Sequence, residues 1–277
     1  MNKDKSPKRI IVDASYIRAS RSDGYQLKKL VEEGFQLVLI DNLIFELCST
    51  DNRQWPATQR KLYHVANFIE CWRHTSELLE YEENKQCPIS TPLNEDFTAQ
   101  LVSFLTPNQI SLPNNFVSHL EYIRKQREQN SVESLLGVCK TLETLSQTLK
   151  EQILVHQSRC NTINSICQDL VNNESLIKLL LEWSKIFNPK LVNVQWVAWH
   201  HYKSFIAFFC EYLRLNETND FSKLPTLTQK KWINRKHDLD YVVSLAFADA
   251  IATNESKGEL SRYVRWMYGS SKKLIYF

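Results

Sequence analysis

Apolar residues run unbroken at three places in this chain, and a carboxylate follows each run. Ile10-Ile11-Val12 leads to Asp13. Leu37 to Ile40 leads to Asp41, with Glu46 shortly after. Ala250 to Thr253 leads to Asn254 and Glu255. Short continuous apolar runs, as opposed to alternating ones, predict strands covered on both faces, as in a parallel sheet. Between the first two runs, Asp23-Gly24 opens an amphipathic stretch that closes at Gly34, a helix C-cap signal. Strand, helix and strand make a βαβ unit.

Beyond it the spacing turns helical, with Leu62, Val65, Phe68 and Ile69 on one face of 54–74. Residues 77–81 predict a weaker strand. Prolines break the chain at 86–92 and 107–113. From Asn114 the periodicity is helical, with a stripe at Leu135, Leu136, Val138, Leu142, Leu145 and Leu149. Residues 164–187 repeat the theme. Residues 194–215 are aromatic on nearly all sides, which predicts a buried helix whose Trp196 and Trp199 fill the core. The strand-and-helix rhythm returns after Asn234: a helix over 238–248, the third apolar run, a helix over 260–268 and a closing strand over 273–277. The expected fold is therefore α/β, with a central, mostly parallel sheet between helices. Residues 1–83 and 234–277 would form this discontinuous domain, and 84–233 an all-helical insertion.

Composition narrows the function classes only a little. The 277 residues carry a net charge of +3, so any phosphate-binding surface must come from local clustering. The seven cysteines are scattered, with no CxxC, and read as reduced thiols with no structural zinc. The start of the chain is polar and basic, unlike a signal peptide, and no apolar run approaches the roughly 20 residues of a membrane span. A cytoplasmic location without a membrane partner is expected.

The acids carry the chemistry. Carboxyl ends of parallel strands are where open α/β sheets place their sites. Asp13 and Glu255 follow strands directly, and Glu46 lies on the helix after the second. Asp238 and Asp240 open the helix that leads into the third. If these strands adjoin, the carboxylates converge and need neutralising. Mg²⁺ or Mn²⁺, bound by carboxylates, water and substrate phosphate, would do so. Two such ions could activate a water and stabilise a leaving oxygen. The plain alternative for Asp238 and Asp240 is helix capping, and for Glu46 a solvated helix face.

In these features the chain resembles the PIN-domain nucleases. The resemblance rests on Val12-Asp13-Ala14-Ser15, on Leu43-Ile44-Phe45-Glu46-Leu47, on His237-Asp238-Leu239-Asp240-Tyr241, and on Ile251-Ala252-Thr253-Asn254-Glu255. It covers residues 8–83 and 234–277; the insertion has no counterpart in small PIN domains. It implies a three-layer α/β/α fold and Mg²⁺- or Mn²⁺-dependent cleavage of phosphodiesters. It also implies catalytic acids at Asp13, Glu46, Asp238 or Asp240, and Glu255, where Asp is usual. Asp13, Glu46, Asp240 and Glu255 would hold metal. Asp240 is favoured over Asp238, because residues two apart on a helix cannot share a direction. Ser15, Thr253 and Asn254 would support them through hydrogen bonds.

Lys230, Lys231, Trp232, Arg235 and Lys236 precede the third acid. Cations interleaved with an aromatic suit a single-stranded backbone and a stacked base. Arg262 and Arg265 form a second basic group. His200 and His201 read as packed or surface residues, since adjacent helical positions diverge. The expected activity is an endonuclease favouring RNA over DNA, as the resemblance implies, and a toxin or defence role is compatible. The insertion would recognise substrate, a protein partner or a second copy. One alternative is a catalytically weak PIN-like subunit that binds nucleic acid or acts as a scaffold. A phosphatase of small esters is a third reading, but no Gly-rich phosphate loop, GxSxG or Walker pattern occurs.

Overall fold

The computed structural model describes residues 7–40, 43, 44, 47, 55–106, 112–118, 120–122, 125, 163–215, 225–256 and 258–277. The first two apolar runs form β1 (Lys8–Val12) and, after α1 (Ala14–Ala19) and α2 (Tyr25–Glu32), β2 (Phe35–Ile40). Gly34 follows α2 with φ 87, a left-handed turn that any other residue would enter at a cost. Helix α3 (Trp55–Tyr63) and a 3₁₀ turn lead to β3 (Ile69–Trp72), then α4 (Thr75–Lys85) and α5 (Glu95–Phe104). The helical region continues with α6 (Ile163–Val171), α7 (Glu174–Ser184) and α8 (Val197–Leu215). Helix α9 (Thr226–Ser244) returns the chain to β4 (Ala250–Thr253), α10 (Glu259–Tyr268) and β5 (Lys273–Tyr276).

Among the described residues five strands pair in parallel, in the order β3-β2-β1-β4-β5. Their buried faces explain the unbroken apolar runs: Ile10, Ile11, Val12, Leu37, Val38, Ile251 and Ala252 have essentially no exposed surface. The order places a topological switch point between β1 and β4. From β1 the chain first builds outward through β2 and β3, then returns to the other side for β4 and β5.

Two sequence expectations give way. The strand expected at 77–81 is helix: α4 runs 11 residues, its Glu- and Leu-rich sequence favours helix, and His74 caps it by accepting from Ser76 N at 3.1 Å. The third strand in chain order is instead Ile69–Trp72, inside the stretch expected to be helical. Glu70 interrupts the apolar run, and Val65, Phe68 and Ile69 happen to match helical spacing.

The division at 233/234 falls inside α9, which begins at Thr226. A single hydrophobic cluster joins sheet residues such as Ile10, Val38 and Ile251 to Leu181, Phe208, Tyr212 and Trp232 of the helical region. Helix α8 lies at the centre of that region, against α4, α6, α7, α9 and α10. Its first turn is held by Glu82 of α4, whose buried carboxylate accepts from Val197 N at 2.8 Å, Ala198 N at 2.9 Å and Ile89 N at 3.3 Å. Trp196 and Trp199 are buried, as expected. The Leu135–Leu149 stripe lies outside the described residues. Among those described, no helix is long and apolar enough to cross a membrane.

Candidate functional site

The switch point carries two of the predicted acids. Asp13 leaves β1 with its N–H bonded to Ala252 O of β4 at 2.9 Å. It occupies the N-cap position of α1, yet only its carbonyl serves that helix; the side chain makes no capping bond. The carboxylate turns toward β4. Its Oδ2 accepts from Thr253 Oγ1 at 2.9 Å and from Ser15 Oγ. The same two hydroxyls accept from the turn after β4: Ser15 Oγ from Asn254 N at 3.0 Å, Thr253 Oγ1 from Glu255 N at 3.1 Å. Thr253 is fully buried. The clasp fixes Asp13 relative to the segment that carries Glu255.

Glu255 is exposed overall, but partial burial of its carboxyl, then the charges of Asp13 and Glu259, hold it above its ordinary value. Like charges have been brought together here. Among the described residues no basic side chain pairs with either Asp13 or Glu255.

Asp238 and Asp240 diverge, as their spacing requires. Asp240 faces β3's end, where His74 Nε2 lies 3.2 Å from Oδ2. Burial pushes the Asp240 carboxyl up, but His74 and His237 outweigh it and hold the acid well below its usual range. His74 Nδ1 accepts the Ser76 N–H, so the proton it offers Asp240 is the one on Nε2. His201 and Lys236 complete this second polar cluster. Burial depresses both, His201 to about 4. Asp238 instead lies within electrostatic reach of Tyr263, which also senses Glu211, Arg235 and Glu259. It is thus Asp238 that faces the α10 side, where Glu259 adjoins Glu255. The preference for Asp240 as the acid grouped with Asp13 and Glu255 finds no support in this placement. Glu46 lies outside the described residues.

The expected substrate-binding residues scatter. Trp232 is 2% exposed and packs edge-on to Phe208 at 5.3 Å and against Tyr212 at 5.0 Å, so it fills the core and presents no face for a base. Arg235 lies over its ring at 4.5 Å and pairs with Glu259 at 2.6 Å. Arg262 pairs with the fully buried Glu211 at 2.7 Å and with Glu259 at 3.4 Å. Arg265 is exposed and reaches Tyr276 Oη at 3.1 Å. Lys231 is exposed, and the side chain of Lys230 lies outside the described residues. Arg235 and Arg262 are therefore already committed to carboxylates.

Sequence reading missed Glu259, Glu211 and His74. Glu259 had a signal: it lies four residues after Glu255, in the first turn of α10. Glu211 had a fainter one, a lone acid in an aromatic helix, which must find a partner when buried. His74 had none.

Among the described residues no group of three or more His, Cys, Asp or Glu could hold a metal ion. The oxygen donors of Asp13 and Glu255 still suit Mg²⁺ or Mn²⁺, since Mg²⁺ is typically held by one or two carboxylates and completed by water and substrate phosphate. No family model, curated protein or solved structure matches this chain.

Proposed function

We propose that this chain is a PIN-like, metal-dependent endonuclease that hydrolyses phosphodiester bonds, in RNA rather than DNA. One observation carries the reading. Asp13 and Glu255 stand together at the carboxyl ends of β1 and β4, at the switch point of a parallel sheet, where α/β folds bind their ligands. The preference for RNA rests on the sequence resemblance.

A bound Mg²⁺ or Mn²⁺ would supply an activated water and neutralise charge at the phosphate. The chain's own part is to hold the two carboxylates in place. Ser15 and Thr253 orient Asp13 through Oδ2, and the Glu255 N–H anchors on Thr253 Oγ1. Arg235 and Arg262 draw charge from Glu259, which leaves Asp13 and Glu255 as the carboxylates open to a cation.

The test is cleavage of labelled single-stranded RNA and DNA with Mg²⁺, Mn²⁺ or a chelator. The parent should cut RNA only with a cation, and Asp13→Asn and Glu255→Gln should lose at least 100-fold while keeping the parent's circular dichroism. Equal cleavage by parent and both variants would sink the proposal. A second reading, a catalytically weak subunit that binds nucleic acid, is favoured by the pairing of Asp240 with His74. It predicts RNA binding without cleavage.

A further inference from the structure

Position 255 holds a glutamate where the resemblance leads one to expect an aspartate, and the structure has a place for the extra methylene. Gly258 is the N-cap of α10, three residues on. A Cβ built on it would lie 2.5 Å from Glu255 Oε2, 3.0 Å from Glu255 Cβ and 3.5 Å from Cδ. The Glu255 side chain therefore folds back over the bare α-carbon of Gly258. The glycine is not there for its backbone. Its φ of −70 and ψ of 173 are extended values that any residue adopts. What it offers is space, at the point where the carboxylate rests.

We propose that Gly258 is a positioning residue, which lets a glutamate serve at position 255 by giving its carboxylate room to fold back over the start of α10. The inference rests on Asp13 and Glu255 being the cation ligands. A side chain at 258 meets Glu255 Oε2, the end of a flexible glutamate, most closely, and Glu255 Cβ at 3.0 Å, so the carboxylate swings away while the two Cβ atoms ease apart by a few tenths of an ångström. The shorter aspartate would not reach over position 258. A Cβ there then keeps only the 3.0 Å contact with the Cβ of residue 255, which glutamate and aspartate share, and no longer displaces the carboxylate.

Mn²⁺ titration, by calorimetry or by the loss of the free-ion paramagnetic signal, tests this on the whole chain in four forms: parent, Gly258→Ala, Glu255→Asp and the double variant. Gly258→Ala should weaken Mn²⁺ binding by about tenfold, the low end of what displaced supporting groups cost a metal site, with the parent's circular dichroism retained. The double variant should bind as Glu255→Asp alone does. An alanine without effect in the parent, or with the same effect in both backgrounds, overturns the inference. So does a double variant that fails to fold along with Gly258→Ala, since the fault would then lie in the backbone. If only Gly258→Ala fails and Glu255→Asp restores folding, the steric coupling stands. A parent that takes up no Mn²⁺ gives a different pattern: it removes the proposed function itself, and this inference with it.

Discussion

Asp13 heads a helix that its side chain does not cap, and the reason is the clasp with Ser15 and Thr253. That distinction between a capping acid and a site acid lies in which way one carboxylate turns, and sequence cannot express it. What sequence did express was position. An acid directly after a buried apolar run ends at the sheet's carboxyl edge, and both Asp13 and Glu255 do. Trp232 shows the opposite case. Its basic neighbours suggested a stacking platform, but a tryptophan one helical turn from a buried face reads the same in sequence whether it points in or out. Two outcomes follow at this scale. Thr253→Val keeps shape but removes the hydroxyl shared by Asp13 and Glu255 N, and should cost about 1–2 kcal/mol in urea denaturation. Trp232→Ala should cost roughly 3–5 kcal/mol, as core truncations do; a surface aromatic would change stability by less than about 0.5 kcal/mol.

Helices α4 and α8 meet through the buried Glu82, beside an apolar cluster that holds Leu78 and Val197. Glu82 accepts three backbone N–H groups, two of them from the first turn of α8, where the helix dipole also favours negative charge. Glu82→Ala should cost on the order of 3 kcal/mol or more, because buried donors lose their acceptor. Burial nonetheless raises the Glu82 carboxyl above its unfolded value despite those bonds. The folded chain therefore holds this proton more tightly. That stability is fully present below the unfolded value and is lost as pH rises through the folded one. Glu82→Gln should flatten this part of the stability curve, measured by denaturation across a pH series. Elements with unbroken apolar runs or long helical periodicity were legible from sequence, β1, β2, β4, α8 and α10 among them. The strand β3 was not, because Glu70 interrupts its apolar run and leaves four residues with no pattern of their own. Its neighbour α4 is not legible from residues 77–81 alone, because the histidine that caps it lies before them.

One hydrophobic core spans the sheet and the helical region, so the whole molecule shares the consequences of its buried groups. His200 and His201, adjacent on α8, are both depressed by burial from 6.5 to about 4. The unfolded chain takes up these protons first. Their contribution is present above pH 6.5 and is lost as pH falls toward 4, on the order of 3 kcal/mol for each. Acid-induced unfolding followed by tryptophan fluorescence should weaken when both are replaced by glutamine. At this scale sequence revealed the α/β class and the return of the chain to the sheet for β4 and β5. It could not reveal that the helical region shares one core with the sheet, since which apolar faces meet is decided by packing between distant segments. The central claim is that Asp13 and Glu255 form a divalent-cation site at the β1–β4 switch point. Calorimetric titration with Mn²⁺ tests it most directly: saturable binding to the parent that disappears in folded Asp13→Asn is the result expected, and equal binding to both, or none to the parent, would contradict it.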